Sequence, residues 1–259
     1  MVRSRKVYFR KSKRSKTRKY QLRKSRIKRR PKRTKTRSRR GGVNKQRFSA
    51  LQRRELTGYL PRWKPIESNK KLSDLVEKWI NNEDIQNIKK EYGHISAWNT
   101  SKITDMSELF MEEDTFNEDI NNWDVSEVWK MDGMFEGATN FNQPLNNWNI
   151  SKVTDMTYMF LGATKFNQPL NNWNISMVRN MESMFEGATS FDQDLSSWDV
   201  SKVKDMTKMF KDATSFNKDL SSWDVSNVDY MDEMFVGATA MQRENLPAHV
   251  REWWAVLGH

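Results

Sequence analysis

The side chains that most often carry catalysis are few in this sequence and form no recognisable catalytic set. The three histidines, His94, His249 and His259, lie far apart and have no nucleophile or carboxylate at a recognisable spacing. Cysteine is absent, which excludes a thiol nucleophile, a disulfide and a cysteine metal site. The sequence contains no phosphate-binding glycine loop, zinc motif or Ser/His/Asp set. We therefore expect a protein that is not an enzyme and that uses no cofactor.

Asn and Asp recur at intervals of 25 residues and could either ligate a cation or hydrogen-bond the backbone of turns. In repeat proteins such side chains usually bond the backbone. The glycine-rich repeat that binds Ca²⁺ is absent, so we expect a structural role and no metal site, with calcium as the alternative. The two sets are Asn99, Asp124, Asn149, Asn174, Asp199 and Asp224, and Asn117, Asn142, Asn167, Asp192 and Asn217.

Tryptophan recurs every 25 residues in strict register, a spacing that could build a platform for carbohydrate or aromatic ligands. Each Trp, however, stands near a Val or Ile that recurs with the same period, so we expect the rings to stack in the core. Fixed periods of about 20 to 50 residues are typical of stacked repeats, in which core positions are structural. The tryptophans of this register are Trp98, Trp123, Trp148, Trp173, Trp198 and Trp223.

The pattern within one repeat predicts its local structure. Residues 141–165 read FNQPLNNWNISKVTDMTYMFLGATK, and the first half has the short apolar spacing and Asn/Ser pairs of extended pieces joined by turns. The second half places Met156, Met159 and Phe160 at helical spacing, which predicts one or two helical turns. The fold class we expect is an α+β repeat solenoid, a leucine-rich-repeat-like right-handed coil of about six 25-residue units with helical caps.

Changes in periodicity and composition divide the chain into segments. An apolar helical face at Leu72, Leu75 and Val76 predicts a helix before the first repeat, and the open ends of a repeat stack need such caps. A second apolar pattern begins at Leu246 and predicts a terminal helix. The expected segments are a disordered polybasic arm (1–43), a basic connector (44–65), an N-terminal helical cap (66–97), the repeat solenoid (98–240) and a C-terminal helical cap (241–259).

The chain joins a strongly basic segment to an acidic one. Residues 1–65 hold 28 of the 45 Lys+Arg and one acid, Glu55, for a net charge of +27, whereas residues 66–259 hold 17 bases and 32 acids, for a net charge of −15. A segment this basic and without an apolar pattern predicts disorder and binding to a polyanion, most plainly nucleic acid. Alternatives are a localisation signal, a solubilising tail, or binding to acidic protein, including the chain's own acidic part. The candidate polyanion-binding residues are Arg3, Arg5, Lys6, Arg10, Lys11, Lys13, Arg14, Lys16, Arg18, Lys19, Arg23, Lys24, Arg26, Lys28, Arg29, Arg30, Lys32, Arg33, Lys35, Arg37, Arg39 and Arg40.

Function on the repeats is expected at positions that the periodic pattern leaves free to vary. Trp129 is the only aromatic residue in its 25-residue column. It is interpreted either as an exposed anchor for a protein partner or as a local packing variant. The candidate partner surface consists of Trp129, Lys152, Arg179, Lys202 and Lys204.

The repeat Phe-Asn-x-x-Leu-x-x-Trp-Asn/Asp-Val/Ile-Ser-x-Val-x-Asp-Met-x-x-Met-Phe-x-Gly-Ala-Thr resembles the BspA-like leucine-rich-repeat family over about residues 92–241. The closer resemblance is to its mycoplasma and giant-virus members. It implies a binding or surface scaffold without enzymatic activity. Bacterial members are usually exported, but no apolar run follows the basic start of this chain, so we expect no secretory signal.

These patterns lead to one expected function with two alternatives. We expect a non-enzymatic scaffold that binds a protein partner through the repeats and a polyanion through the arm, and the resemblance implies a virion or virus-encoded component. One alternative is an interaction scaffold whose arm only localises it or bridges acidic proteins, and a second is a surface adhesin. We expect an intracellular location, with the nucleus as one option, or a virion. We expect no small-molecule substrate, and no membrane span because no apolar stretch approaches about 18–20 residues.

Overall fold

The computed structural model describes residues 63–254, all of which belong to the second of two units into which the chain divides, Ser49–His259. The predicted arm and most of the predicted connector lie outside the described residues. None of the described helices is long and apolar enough to cross a membrane. The described helices are α1 (Asn69–Ile80), α2 (Ile85–Tyr92) and α3 (Ala248–Trp254), with short 3₁₀ helices at Ile95–Ala97 and Arg243–Asn245.

Consecutive repeats are joined by parallel backbone bridges, and each repeat contributes one bridging residue. Within the described repeats the pairing consists of isolated bridges rather than longer strands, and the bridges follow the 25-residue period. This register places equivalent side chains of neighbouring repeats beside each other. The right-handed leucine-rich-repeat coil stays a prediction. The bridges join Asp105 to Lys130, Lys130 to Asp155, Asp155 to Asn180, Asn180 to Asp205 and Asp205 to Tyr230.

The helical turns predicted for the second half of each repeat are wrong, because the described repeats contain turns there and no α-helix. In the repeat that holds Met156, the backbone N–H of Met156 donates to Asn180 O at 3.0 Å, and that of Phe160 donates to Met184 O at 2.9 Å. An α-helix would instead direct every N–H to the carbonyl four residues earlier in the same repeat. Every second backbone N–H of this segment therefore donates to a carbonyl of the next repeat. The spacing of the apolar residues follows from this stacking of repeats and not from a helix.

Phenylalanine rings from successive repeats form a continuous stack in the core. Phe160 is fully buried, and its ring centroid lies 5.5 Å from that of Phe135 and 5.6 Å from that of Phe185. The ring centroid of Phe160 also lies 4.1 Å from that of Phe166, six residues later in the chain, and the two ring planes are 11° apart. Each ring thus contacts the units before and after it, which couples the stability of neighbouring repeats.

The six tryptophans of the register form a second column in the core, where they are 2–5% exposed. Trp148 and Trp173 stack with centroids 6.5 Å apart and planes 1° apart. The indole N–H of Trp173 donates to Leu145 O at 3.1 Å, and every later Trp of the register makes the equivalent bond. Because the rings are buried and their N–H groups are bonded, the column leaves no ring face for a carbohydrate.

The N-terminal helix replaces the repeat that would precede the first one. Ser68 caps α1 by accepting a hydrogen bond from the backbone N–H of Lys71 at 3.2 Å. The Asn69 side chain then accepts from the backbone N–H of Thr104 at 3.0 Å, where later repeats use a backbone carbonyl. Trp79 packs edge-on against Trp98 at 5.7 Å and ends the tryptophan column.

The predicted connector and the C-terminal end also contact the repeats. Pro65 bridges Asn99 in parallel, so the last residues of the segment predicted as connector pair with the body. At the other end, Leu220 N–H donates to Asn245 O at 2.7 Å, and Leu246 is fully buried just before α3 begins. Leu257 of the predicted terminal pattern lies outside the described residues.

Two positions in every repeat adopt the left-handed backbone conformation, which favours glycine. The first has φ between 52° and 60° and the second between 57° and 76°. Glycine occupies the first position in one repeat and the second in four, so seven of the twelve positions are held by residues other than glycine, such as Glu112 and Asp212. The first set is Glu108, Gly133, Tyr158, Ser183, Lys208 and Glu233, and the second is Glu112, Gly137, Gly162, Gly187, Asp212 and Gly237.

Glycine at position 112 is expected to stabilise the repeats more than alanine does. Glu112 has φ 61°, and a side chain in this region costs roughly 1–2 kcal/mol that glycine avoids. The free energy of unfolding of the Glu112→Gly variant should therefore be about 1 kcal/mol larger than that of the Glu112→Ala variant. Both substitutions remove the carboxylate, but only glycine also removes the Cβ. Urea unfolding of the two variants measures the difference, and equal stabilities would contradict this cost.

Candidate protein-binding face

Two columns of side chains leave the repeats on the same side and form the surface that we name the stripe. They flank the buried Val/Ile column, and in extended backbone the residues before and after a buried position point away from the core. The backbone is paired here: Arg179 N–H donates to Thr154 O at 2.9 Å and Lys204 N–H to Arg179 O at 2.8 Å. All members except Thr154 are exposed. The stripe consists of Lys102, Glu127, Lys152, Met177, Lys202 and Asn227 in one column, and Thr104, Trp129, Thr154, Arg179, Lys204 and Asp229 in the other.

Large apolar side chains are exposed on the stripe. Trp129 is 48% exposed and Met177 is 40% exposed. This exposure places Trp129 outside the buried core, and its role as an anchor for a protein partner stays a prediction. Met177 was not among the residues selected from the sequence, although its column is otherwise polar and that contrast is a usable signal. Tyr230, 59% exposed at the end of the bridge column, was also not selected.

The stripe collects the positive charge of an otherwise acidic repeat block. Residues 98–240 contain 10 Lys+Arg and 24 Asp+Glu, and the stripe holds 5 of these bases and 2 of these acids. Outside the stripe the same block therefore has 5 bases and 22 acids, a net charge of −17. The sequence-selected residues Lys152, Arg179, Lys202 and Lys204 all lie on the stripe with Trp129, so the structure brings the candidate partner surface together.

The cations along the stripe differ in their partners. Lys152 Nζ lies 2.7 Å from Glu127 Oε2, an exposed pair of the kind that contributes at most about 1 kcal/mol. Arg179 makes no ion pair or side-chain hydrogen bond with any residue in the range 63–254. Lys202 Nζ contacts Met177 Sδ at 3.5 Å and interacts electrostatically with the Asp199 carboxylate. Lys204 Nζ donates to Asn227 O at 2.8 Å and lies 3.9 Å from an Asp229 carboxylate oxygen. Arg179, Lys202 and Lys204, which we call the cationic end of the stripe, are thus only partly neutralised.

The Asn and Asp columns hydrogen-bond the backbone, as predicted from the sequence. Asn149 Oδ1 accepts from the backbone N–H of Ser151 at 3.2 Å, a turn repeated at each equivalent position. In the second column the side chain of Asn142 accepts from the backbone N–H of Asn167 at 3.0 Å and so links neighbouring repeats. Between residues 63 and 254, no group of three or more acidic or imidazole side chains is arranged to hold a metal ion.

Carboxylates gather on another side of the first repeats. Burial raises the pKa of Glu136, and the nearby carboxylates of Glu112 and Glu108 raise it further. The Glu112 carboxylate packs against Gly137. A Cβ added to this glycine would lie only 2.9 Å from Glu112 Oε1. The ionised form of Glu136 is therefore disfavoured at this acidic edge, which contrasts with the basic stripe.

Replacing Glu136 with Gln is expected to stabilise the fold at neutral pH. A carboxyl whose folded-state pKa is raised stabilises the protein below its unfolded pKa, and that contribution is lost as the pH rises through the folded pKa. The gain in Tm from Glu136→Gln should therefore be largest at neutral pH and should shrink on acidification. Thermal unfolding across the pH range measures it, and Glu244→Gln, which removes an exposed carboxylate, reports the effect of net charge alone. A gain that does not change with pH would contradict the expectation.

His94 lies near a hydroxyl and a carboxylate, but the geometry is that of a helix cap. The ring nitrogen Nδ1 accepts from the backbone N–H of Ser96 at 3.3 Å, which caps the 3₁₀ helix Ile95–Ala97. The other nitrogen lies 3.9 Å from Glu118 Oε2, beyond hydrogen-bond distance. Sequence spacing could not reveal this group because Glu118 belongs to the next repeat.

The repeats of this chain match one known protein family. A family model described as "Mycoplasma protein of unknown function, DUF285" matches residues 80–185 and again residues 170–253. Together the matches cover residues 80–253, about two-thirds of the 259-residue chain. The chain belongs to this family. The mycoplasma-type repeat family expected from the sequence is thereby confirmed, and the two DUF285 matches include the whole stripe. No curated protein and no solved structure matches the chain.

Proposed function

We propose that this DUF285 protein is a non-enzymatic scaffold that binds a protein partner through its repeats and a polyanion, nucleic acid in the first place, through its basic arm. The observation that carries the proposal is where the charges and the exposed apolar side chains lie in the chain. Trp129 and the cations of the stripe share one face of an acidic repeat block. The segment before residue 66 carries a net charge of +27.

The repeats support the protein-binding half of the proposal. A stack of short units presents a long, regular surface whose variable positions can be chosen without changing the core. An exposed Trp beside cations is the kind of group that becomes a central contact in protein interfaces. The solenoid of BspA-like, leucine-rich-repeat type belongs to this proposal, as does the resemblance to giant-virus members that suggests a virion or virus-encoded component.

The arm supports the polyanion-binding half. Its 22 Lys/Arg between residues 3 and 40 can contact successive phosphates and release condensed counterions. Arginine suits this role because its guanidinium group makes forked contacts with phosphate. An intracellular or virion location follows if the arm meets nucleic acid there.

Ultraviolet cross-linking of the full chain to single-stranded DNA of random sequence tests the proposal. Mapping the cross-linked peptides by mass spectrometry should place them within residues 3–40, where Tyr8, Phe9 and Tyr20 offer rings for stacking. Cross-links confined to the repeats would contradict the assignment of the polyanion to the arm. An arm that bridges acidic proteins is the second candidate, and it predicts no DNA cross-links at all.

A further inference from the structure

We propose that the stripe binds an extended acidic segment of the protein partner, with its carboxylates on Arg179, Lys202 and Lys204 and an apolar side chain on Trp129. This inference rests on the proposed function, because it names the chemistry of the partner that the repeats bind. It identifies the partner by composition, an apolar residue followed by a short acidic run.

The positive charges of Arg179, Lys202 and Lys204 are only partly neutralised by side chains of the repeats. Arg179 has no ion pair or side-chain hydrogen bond with a described residue, and Lys202 has a thioether contact and an electrostatic interaction with the exposed Asp199. Lys204 is 3.9 Å from one carboxylate, beyond hydrogen-bond distance. Cations that are only partly paired in this way favour a ligand that brings its own carboxylates, and Arg in particular suits bidentate contacts with carboxylates.

The spacing of the stripe fits an extended peptide. Hydrogen-bonded neighbours in a parallel pairing lie about 4.8 Å apart, so Trp129 and Arg179, two repeats apart, are separated by about 10 Å along the stack. An extended peptide covers about 3.3 Å per residue and directs alternate side chains to the same face. The apolar anchor and the first carboxylate of the ligand should therefore be about two to four residues apart.

Charge argues for a short acidic peptide over the other occupants. The arm at residues 3–40 has the same sign as the stripe and is repelled by it. A nucleic acid strand that extended beyond the stripe would meet the surrounding repeat surface, which carries 22 acids against 5 bases. A short acidic segment with an apolar anchor contacts only the stripe.

Photo-cross-linking of the full chain tests the inference. The probe is the peptide Phe-Ser-Glu-Ser-Glu-Ser-Glu with benzoylphenylalanine in place of Phe, and the cross-links are mapped by mass spectrometry. The arm also attracts this probe, so the readout is the yield of cross-links near Trp129 alone. The variant is Arg179→Ala/Lys202→Ala/Lys204→Ala, and the matched control, Lys70→Ala/Lys165→Ala/Lys218→Ala, removes the same charge elsewhere. Circular dichroism checks that both variants fold.

The native chain is expected to cross-link near Trp129, with a yield that falls roughly tenfold in the stripe variant and changes less than about twofold in the control. Equal losses in both variants would overturn the inference, as would cross-links on another face of the repeats. If oligo-dT displaces the peptide from the stripe and itself cross-links there, the stripe is a nucleic-acid surface and the inference fails. The proposed function has a separate test in the DNA cross-links to residues 3–40, so the two failures are distinguishable.

Discussion

Replacing Phe160 with Ala is expected to destabilise the repeats by about 3–5 kcal/mol. The ring is fully buried and stacks on Phe135, Phe185 and Phe166, so its removal leaves a cavity that neighbouring repeats border on both sides. Because the repeats are held by contacts between neighbours, a cavity in a central unit weakens the coupling of the units before and after it. For a folded body of this size, the loss should lower Tm by roughly 10 °C or more.

Urea unfolding followed by circular dichroism measures this loss, and Trp129→Ala is the matched control. Both substitutions remove an aromatic ring, but Trp129 is 48% exposed and should cost less than about 1 kcal/mol. If the two variants lost similar stability, Trp129 would be part of the packing and the anchor interpretation would be wrong. If Phe160→Ala were nearly neutral, the stacked phenylalanine core would be wrong.

Neutralising the arm is expected to produce the largest functional effect. Substituting Gln for the 22 Lys/Arg of residues 3–40 should weaken binding to random single-stranded DNA by about 10³-fold or more at low salt, because most of the affinity comes from contacts between cations and phosphates. Fluorescence anisotropy measures the affinity. Lys70→Ala/Lys165→Ala/Lys218→Ala serves as a control for cations outside the arm, on α1 and the repeats, and it should leave DNA binding within about twofold. A small effect of the arm together with a large effect of this control would reverse the assignment.

The repeating core could be predicted from the sequence because every unit repeats the same solution. The spacing of Trp148 and Trp173 places both rings at the same point of neighbouring repeats, and the structure has them stacked and buried. The turn role of Asn149 could also be predicted, since a short side-chain carbonyl beside Ser offers its oxygen to the backbone. In both cases local chemistry and repetition lead to the same structure.

The local backbone of the second half of each repeat could not be predicted in this way. Met156, Met159 and Phe160 have helical spacing, yet alternate N–H groups donate to the next repeat and the segment forms turns. Spacing reports which side chains are buried and not where the backbone hydrogen bonds go. The first left-handed position was equally hidden, because residues such as Tyr158, with φ 60°, occupy it in five of the six repeats, whereas glycine marks the second position in four.

The candidate site was only partly visible in the sequence. Trp129 could be selected because it is the only aromatic residue in its column, whereas Met177, which its polar column marks as exposed, was missed among the methionines that fill the core. The concentration of bases on the stripe needs the register of the repeats, since the same residues are scattered among acids along the chain. Position along the stack, rather than position in the sequence, reveals the face.

The most direct test of the account measures the affinity for random DNA and RNA across a salt series, for the full chain and for a chain that begins at residue 63. The shorter chain keeps Pro65 and Ile66, which pair with Asn99, and thermal unfolding verifies that it is folded. We predict that log K for the full chain falls steeply with log salt, by about 0.9 per phosphate contacted on duplex DNA, and that the shorter chain does not bind at physiological salt. Equal binding by both chains, or binding by neither, would contradict the division of the protein into a polyanion-binding arm and a protein-binding repeat stack.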